Sequence, residues 1–372
     1  LEKNFEIFDF QNRNMTNKGN IIIFILISLV GYTIKAQQQE NHFYDDSYQT
    51  IDNMLNDKEP YSFKTAVFSV ENAYYQGKLD TEGLNRKIRF LANFCNQLVD
   101  SRKLNYAERD QEKVSKYAAV YTVMCQATPV IVRNDTVKYK PFIYDFEDVF
   151  GHNDLSNLFV SKLLGTQKGN CNSMPYLYKI LAEEIGADAN LALAPNHIYI
   201  KHNIKSIGWF NTELTSGIFP IDAWLSASGF IHLDAIKNGV FMKALNNKES
   251  LALLLVDLAN AYNRSFPDND GSFPLKCAER AIQIHPYLAN ALLLQAETHT
   301  KQFKKLMKDQ GAKDIQATLS NPKAKGLFDL MNKEYSHIHK IGYRSMPEEM
   351  YLDWLVSLKT ERSKYEDTRF KK

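Results

Sequence analysis

Residues that break regular structure are scarce in this chain. It has 16 glycines and 11 prolines in 372 residues, where the two together usually make up about 12% of a sequence. That scarcity excludes a collagen-like or low-complexity chain and leaves room for long regular elements, mostly helices. An excess of one charge is missing too: 45 Lys and Arg stand against 43 Asp and Glu, a formal +2. With no basic run and no basic stripe interleaved with aromatics, nucleic acid is not an expected partner. Cysteine is sparse. Cys95, Cys125, Cys171 and Cys277 are the four in the chain, without the short regular spacing of a disulfide scaffold or a zinc site. No glycine-rich loop is present to cradle a phosphate. His197 and His202 fall on opposite faces of one predicted strand, and His337 and His339 are two apart on a predicted helix, so neither pair can share a metal. No cofactor and no metal are expected.

What is present is a globular composition, 44% hydrophobic and 24% charged, long enough for two or three domains. The first stretch reads as an address. Ile21 to Val30 (IIIFILISLV) follows Lys18 and leads into Lys35-Ala36-Gln37. A basic flank, a short apolar run and a small residue before a polar tail describe a secretory signal peptide over residues 1–36. Cleavage is expected between Ala36 and Gln37. Met15 suits a true start, which makes residues 1–14 an upstream extension. The apolar run is short of the ~20 residues that a membrane span needs, so no span is expected after cleavage, with an uncleaved anchor as the alternative.

Residues 37–127 read as a helical region, with Ile88, Leu91, Phe94 (or Cys95) and Leu98 at helical spacing. Residues 128–245 change period and read as an α+β core. Val130, Val132, Val137 and Tyr139 flank Asn134-Asp135 as a short hairpin. A helix from Leu155 to Leu164 is expected to stop at Gly165, and another runs from Ser173 to Ile185 before Gly186. Strands are expected at Leu191–Ala194, His197–His202 and Gly208–Thr215. Residues 246–372 return to helix. Asp145, Glu147 and Asp148 read as a helix start or solvated turn.

One cysteine stands apart. Cys95, Cys125 and Cys277 sit in apolar helical patterns, where a buried inert thiol is expected. Cys171 lies among Gly169, Asn170, Asn172 and Ser173. Pro175 is tolerated only in a first helical turn, so Cys171 falls at or just before a helix N-terminus, where free N–H groups and the dipole favour a thiolate. His197, Tyr199 and Lys201 share one strand face, with Ile198 and Ile200 turned to the core. Trp209, Asn211, Glu213 and Thr215 share a face of the next strand. A nucleophile on a helix, an imidazole on a strand and a carboxylate on the adjoining strand is an order that a Cys-His-acid site can use. Asn211 is the rival orienter, and Gln167 is a weak candidate for a second oxyanion donor beside the Cys171 N–H.

These residues resemble the transglutaminase-like superfamily of papain-type cysteine enzymes. The resemblance covers Asp145 to Gly217 and rests on Lys168-Gly169-Asn170-Cys171, on Asn196-His197, and on Gly208-Trp209 through Glu213-Leu214-Thr215. Glu213 stands where the family usually has Asp. The segment CAERAIQIHPYLANALLLQAETH in the tail resembles a tetratricopeptide repeat, although an ordinary helical bundle fits the pattern as well. A transglutaminase-like core joined to such a tail is similar to a bacterial branch of the superfamily. The resemblance implies an exported, periplasmic or secreted cysteine hydrolase or acyl-transferase. It would use Cys171 as nucleophile, His197 as base and acid, and Glu213 as orienter on a peptide or protein substrate, cell-wall peptides among them. The alternative is a non-catalytic scaffold of the same fold whose helical tail binds a protein partner.

Overall fold

The computed structural model describes residues 42–132 and 135–369. The expected signal peptide and its cleavage point lie outside them. Among the described residues, no helix is long and apolar enough to cross a membrane.

The chain is α+β with helix predominating. Helix α1 covers residues 42–55, followed by α2 (Phe63–Tyr74), α3 (Thr81–Ser101) and α4 (Gln111–Cys125). Ser62 Oγ accepts the Thr65 N–H at the start of α2, and Asp80 Oδ1 accepts the Gly83 N–H at the start of α3. Each satisfies a donor that the first helical turn leaves free. In α3, Leu84, Ile88, Leu91, Phe94, Cys95 and Leu98 are all buried, one stripe with the 3–4 spacing of an amphipathic helix.

The expected hairpin forms from β1 (Thr128–Val132) and β2 (Asp135–Tyr139), antiparallel, with Val132 opposite Asp135. Asp135 is therefore a strand residue rather than part of the turn. Strand β3 (Ile143–Tyr144) pairs in parallel with β4 (Lys168–Gly169), Tyr144 opposite Gly169. The Asp145, Glu147 and Asp148 cluster is a turn. Asp148 accepts the Asp154 N–H and a bond from Asn157 Nδ2.

The crossover from β3 to β4 departs from the sequence expectation. The single helix expected over Leu155–Leu164 is split into a 3₁₀ turn (Leu155–Leu158) and α5 (Val160–Thr166), with Phe159 extended between them. A side chain from α2 stabilises the break: Glu71 accepts the N–H groups of Val160 at 2.7 Å and Ser161 at 2.9 Å, capping α5 from another helix. The helix runs past Gly165 and ends at Gln167, which takes the left-handed conformation at φ 58°.

Helix α6 (Ser173–Glu184) follows, ending before Gly186 at φ 69°. It packs on the antiparallel sheet β5 (Asn190–Ala194), β6 (His197–Ile204) and β7 (Gly208–Thr212). Leu177 and Leu181 on α6 and Leu191 and Ile200 on the sheet are fully buried, and each such side chain stabilises the fold by about 1.5–3 kcal/mol. The His197–Tyr199–Lys201 face is as deeply buried as the Ile200 face, so the sheet is covered on both sides.

Two short helices, α7 (Asp222–Ser228) and α8 (Leu233–Lys237), lead to α9 (Asn247–Ser265), α10 (Ser272–Ile284) and α11 (Ala289–Asp309). A capping box opens α9: Glu249 N–H to Asn246 Oδ1 and Asn246 N–H to Glu249 Oε2. Helix α11 begins at Ala289, three residues beyond Pro286, and α12 (Ile315–Thr318), α13 (Pro322–Lys340) and α14 (Glu348–Arg369) complete the order. Helices α9, α10, α11 and α13 pack in succession. The three stretches distinguished by sequence pattern share one hydrophobic core, from Tyr44 on α1 to Leu358 on α14. Helix α2 lies against α9, and Asp52 on α1 pairs with Arg280 on α10 at 2.6 Å.

Candidate active site

Strand β4 delivers the chain to Cys171 through a tightly fixed turn. Asn170 is 1% exposed. Its Oδ1 accepts the N–H groups of Asn172 at 3.0 Å and Ser173 at 3.1 Å, while its Nδ2 donates to Val149 O at 3.1 Å. The Met174 N–H goes to Asn170 O. None of these bonds uses the Cys171 N–H. Gly169 is required by space, since a Cβ there would meet Ser173 Oγ at 2.6 Å and Leu163 Cδ1 at 2.7 Å. Cys171 ends up half-buried immediately before Asn172, the N-cap of α6.

The β5–β6 hairpin brings up the imidazole. Pro195-Asn196 makes the turn, with Asn196 left-handed at φ 56°, a conformation that Asn tolerates better than most residues. Its carbonyl accepts the Cys171 S–H at 3.6 Å. His197 is the first residue of β6, and its Nε2 lies 3.1 Å from Glu213 Oε1 with both side chains out of solvent. Glu213 sits one residue past the end of β7, where it bridges to Ile218. Its Oε1 also accepts the Thr215 N–H, and Oε2 accepts the N–H and Oγ–H of Ser216, each at 3.0 Å. A carboxylate only accepts, so it holds the proton on Nε2 and leaves Nδ1 for other partners.

Two further elements close over the pair. Tyr351, on α14, places its hydroxyl 3.0 Å from His197 Nδ1, and Trp354 meets the imidazole edge-on with ring centres 4.8 Å apart. Tyr351 and Trp354 are buried, and with Leu355 and Leu358 they form the face by which α14 packs on the protein. Tyr144, on β3, stands beside the thiol from the other side and interacts with both Cys171 and Tyr351.

The charges interlock. Burial pushes the Cys171 thiol up, but hydrogen bonding and charge from His197, with hydrogen bonds from Tyr351 and Tyr144, outweigh it and hold the thiol below its ordinary value. Burial pulls His197 down, while its bonds to Cys171 and Glu213 and their charges raise it to about 9. Burial likewise opposes the charged form of Glu213, yet His197 and the Thr215 bonds keep its carboxyl below the usual carboxylate value. All three shifts favour a thiolate–imidazolium pair held by a carboxylate. The contrast with Cys95 is sharp, since burial alone drives that thiol up to about 12. Such an arrangement can attack a carbonyl and shuttle one proton.

The structure thus brings together Cys171, His197 and Glu213. It does not bring Asn211 to them. Asn211 Nδ2 donates to Asp222 Oδ1 at 2.7 Å and Pro220 O at 2.9 Å, in a network with buried Lys201. Gln167 is no oxyanion donor either; its side chain is exposed and reaches towards Lys140 O. His202, on the opposite face of β6, is a core residue stacked on Tyr117 with Nε2 3.0 Å from Tyr178 Oη. Among the described residues, no group of three His, Cys, Asp or Glu is arranged to hold a metal. Sequence reading missed Tyr144, Tyr351 and Trp354. Tyr351 lies 154 positions from His197, and no local spacing carries such a contact.

A cavity of about 780 Å³ adjoins the site, lined by Ile143, Tyr144, Phe146, Thr215 and Lys359 among others. Ile143 and Phe146 are exposed there. Compared with family models, with curated proteins and with solved structures, the chain matches none.

Proposed function

We propose that this chain is an exported, transglutaminase-like cysteine hydrolase or acyl-transferase acting on an amide or peptide bond. The observation that carries the reading is the buried His197, bonded to Glu213 at 3.1 Å, beside a thiol whose acidity it raises. In the reaction, the Cys171 thiolate attacks the carbonyl carbon and a C–S bond forms. His197 gives its proton to the departing nitrogen as the C–N bond breaks. The resulting thioester is then attacked by water (hydrolysis) or by a second amine (acyl transfer); the C–S bond breaks, the Cys171 thiolate is restored and the proton of the attacking group returns to His197. The 780 Å³ cavity beside Tyr144, with exposed Ile143 and Phe146, suits an apolar side chain of a peptide or protein substrate. Helices α9 to α13 supply a stacked surface for a protein partner.

One observation favours the rival reading of a non-catalytic scaffold: the imidazole is out of solvent beneath Tyr351 and Trp354. Limited iodoacetamide labelling with mass mapping separates the two. The catalytic reading expects Cys171 to react at neutral pH far faster than Cys95 and Cys277. Equal, slow labelling of all three would favour the scaffold.

A further inference from the structure

An acyl-transfer site needs two donors for the carbonyl oxygen that becomes negative when the thiolate attacks. The turn at Cys171 leaves one in place, the backbone N–H unused by the Asn170 network. A single helix-start N–H is half a hole. The second donor has to be buried, protonated and close to the sulfur.

Tyr144 meets each condition. Strand pairing puts it opposite Gly169, two residues before Cys171, so the parallel β3–β4 register itself sets the phenol beside the nucleophile. The side chain is 9% exposed, and its hydroxyl is a buried polar atom with no hydrogen-bond partner at normal distance. The thiol and Tyr351 are its polar neighbours, and the contact to sulfur is one that a substrate carbonyl oxygen would take over as the negative charge passes from sulfur to oxygen. Burial, followed by the Cys171 charge, pushes the phenol well above its ordinary value, so it stays a donor across the working range of the thiolate. The other nearby phenol, Tyr351, has its Oη 3.0 Å from His197 Nδ1 and is tied to the imidazole. The ring of Tyr144 is held independently of its hydroxyl, packed against Phe146 with centres 4.8 Å apart.

We infer that the Tyr144 hydroxyl is the second oxyanion donor of the Cys171 site, completing with the Cys171 N–H a hole for the carbonyl oxygen of an acyl substrate. The inference rests on the catalytic reading of Cys171 given above. As the C–S bond forms, the carbonyl π electrons move onto oxygen, which accepts the Tyr144 O–H and the Cys171 N–H. As the intermediate collapses they return, and the leaving group departs. Tyr144 keeps its proton throughout.

Two reagents separate this role from any other. p-Nitrophenyl acetate acylates a thiolate through a tetrahedral oxyanion and releases p-nitrophenolate. Iodoacetamide alkylates it by displacement at carbon and forms no oxyanion. Both rates are measured for the full chain across pH and compared on the plateau where Cys171 is fully thiolate, which removes any effect of Tyr144 on thiol acidity. Tyr144→Phe keeps the ring packing and is expected to lower the acylation-to-alkylation ratio by about 10²–10³, the usual cost of one lost oxyanion donor. Tyr351→Phe, which disturbs His197, is expected to move both rates together. An unchanged ratio in Tyr144→Phe overturns the inference, whether both rates hold or both fall. If wild-type Cys171 alkylates no faster than Cys95 or Cys277, the catalytic reading fails instead, and this inference with it.

Discussion

At the scale of single residues, the charge on Glu213 decides how acidic the thiol is. Glu213→Gln keeps the volume but presents an N–H₂ to backbone donors, so one of the Thr215 and Ser216 bonds is lost, at about 1–3 kcal/mol of stability. The neutral amide no longer favours imidazolium, so His197 falls from about 9 and the Cys171 thiol rises. The pH profile of iodoacetamide labelling at Cys171 is expected to move to higher pH, because only the thiolate reacts. Asn211→Ala is expected to leave the labelling profile unchanged, because Asn211 serves Asp222 rather than His197. A shift with Asn211→Ala and none with Glu213→Gln would reverse the two roles. Glu213 sits beyond the end of β7, where its own turn supplies three further donors.

At the scale of elements, the β4–α6 turn and helix α14 carry the site. Gly169 has an ordinary φ, and its constraint is contact with Ser173 and Leu163. Gly169→Val is therefore expected to cost about 1–3 kcal/mol through overpacking and to push Ser173 off Asn170. Thermal unfolding and Cys171 labelling should both register the change; a variant matching wild type in both would mean the turn absorbs the side chain. Trp354→Ala tests α14. Loss of a buried Trp costs about 3–5 kcal/mol, here together with its bond to Ser228 at 3.0 Å, and it uncovers His197. In the folded baseline of a urea melt, Cys171 should label faster than in wild type. Slower labelling would mean that α14 supports the reactive geometry more than it covers it. The same scale explains the split helix: composition leaves residues 155–164 whole, but Glu71, 90 residues from Ser161, caps a helix that begins at Val160.

At the scale of the whole molecule, buried titratable groups set opposing pH trends. Burial of His202 lowers it from 6.5 to about 3. Its folded-state pKa lies below the unfolded value, so its contribution is whole above pH 6.5 and declines as pH falls towards 3, by at most about 1.4 kcal/mol per unit. Glu71 runs the other way. Burial raises it from 4.5 to about 7, so its contribution is whole below pH 4.5 and is lost as pH rises through 7. Comparing wild type with His202→Phe isolates the first trend. Between pH 6.5 and 4, wild type should lose more stability in urea melts than the variant, and parallel curves would show that His202 carries no such linkage.

The sequence by itself determined the local pieces. Spacing of Leu and Ile made the helices, Pro175 fixed where α6 starts, and Pro195-Asn196 closed the hairpin that carries His197, because these features act within a few residues. It also singled out Cys171 from three thiols on apolar faces. The tertiary structure alone decided what surrounds that thiol. Parallel pairing of β3 with β4 brings in Tyr144, the return of α14 brings in Tyr351 and Trp354, and a carboxylate from α2 splits a helix that composition left whole. Such contacts join residues tens to hundreds of positions apart. They are selected by burial and by the pairing of polar groups in one shared core, which no local pattern records.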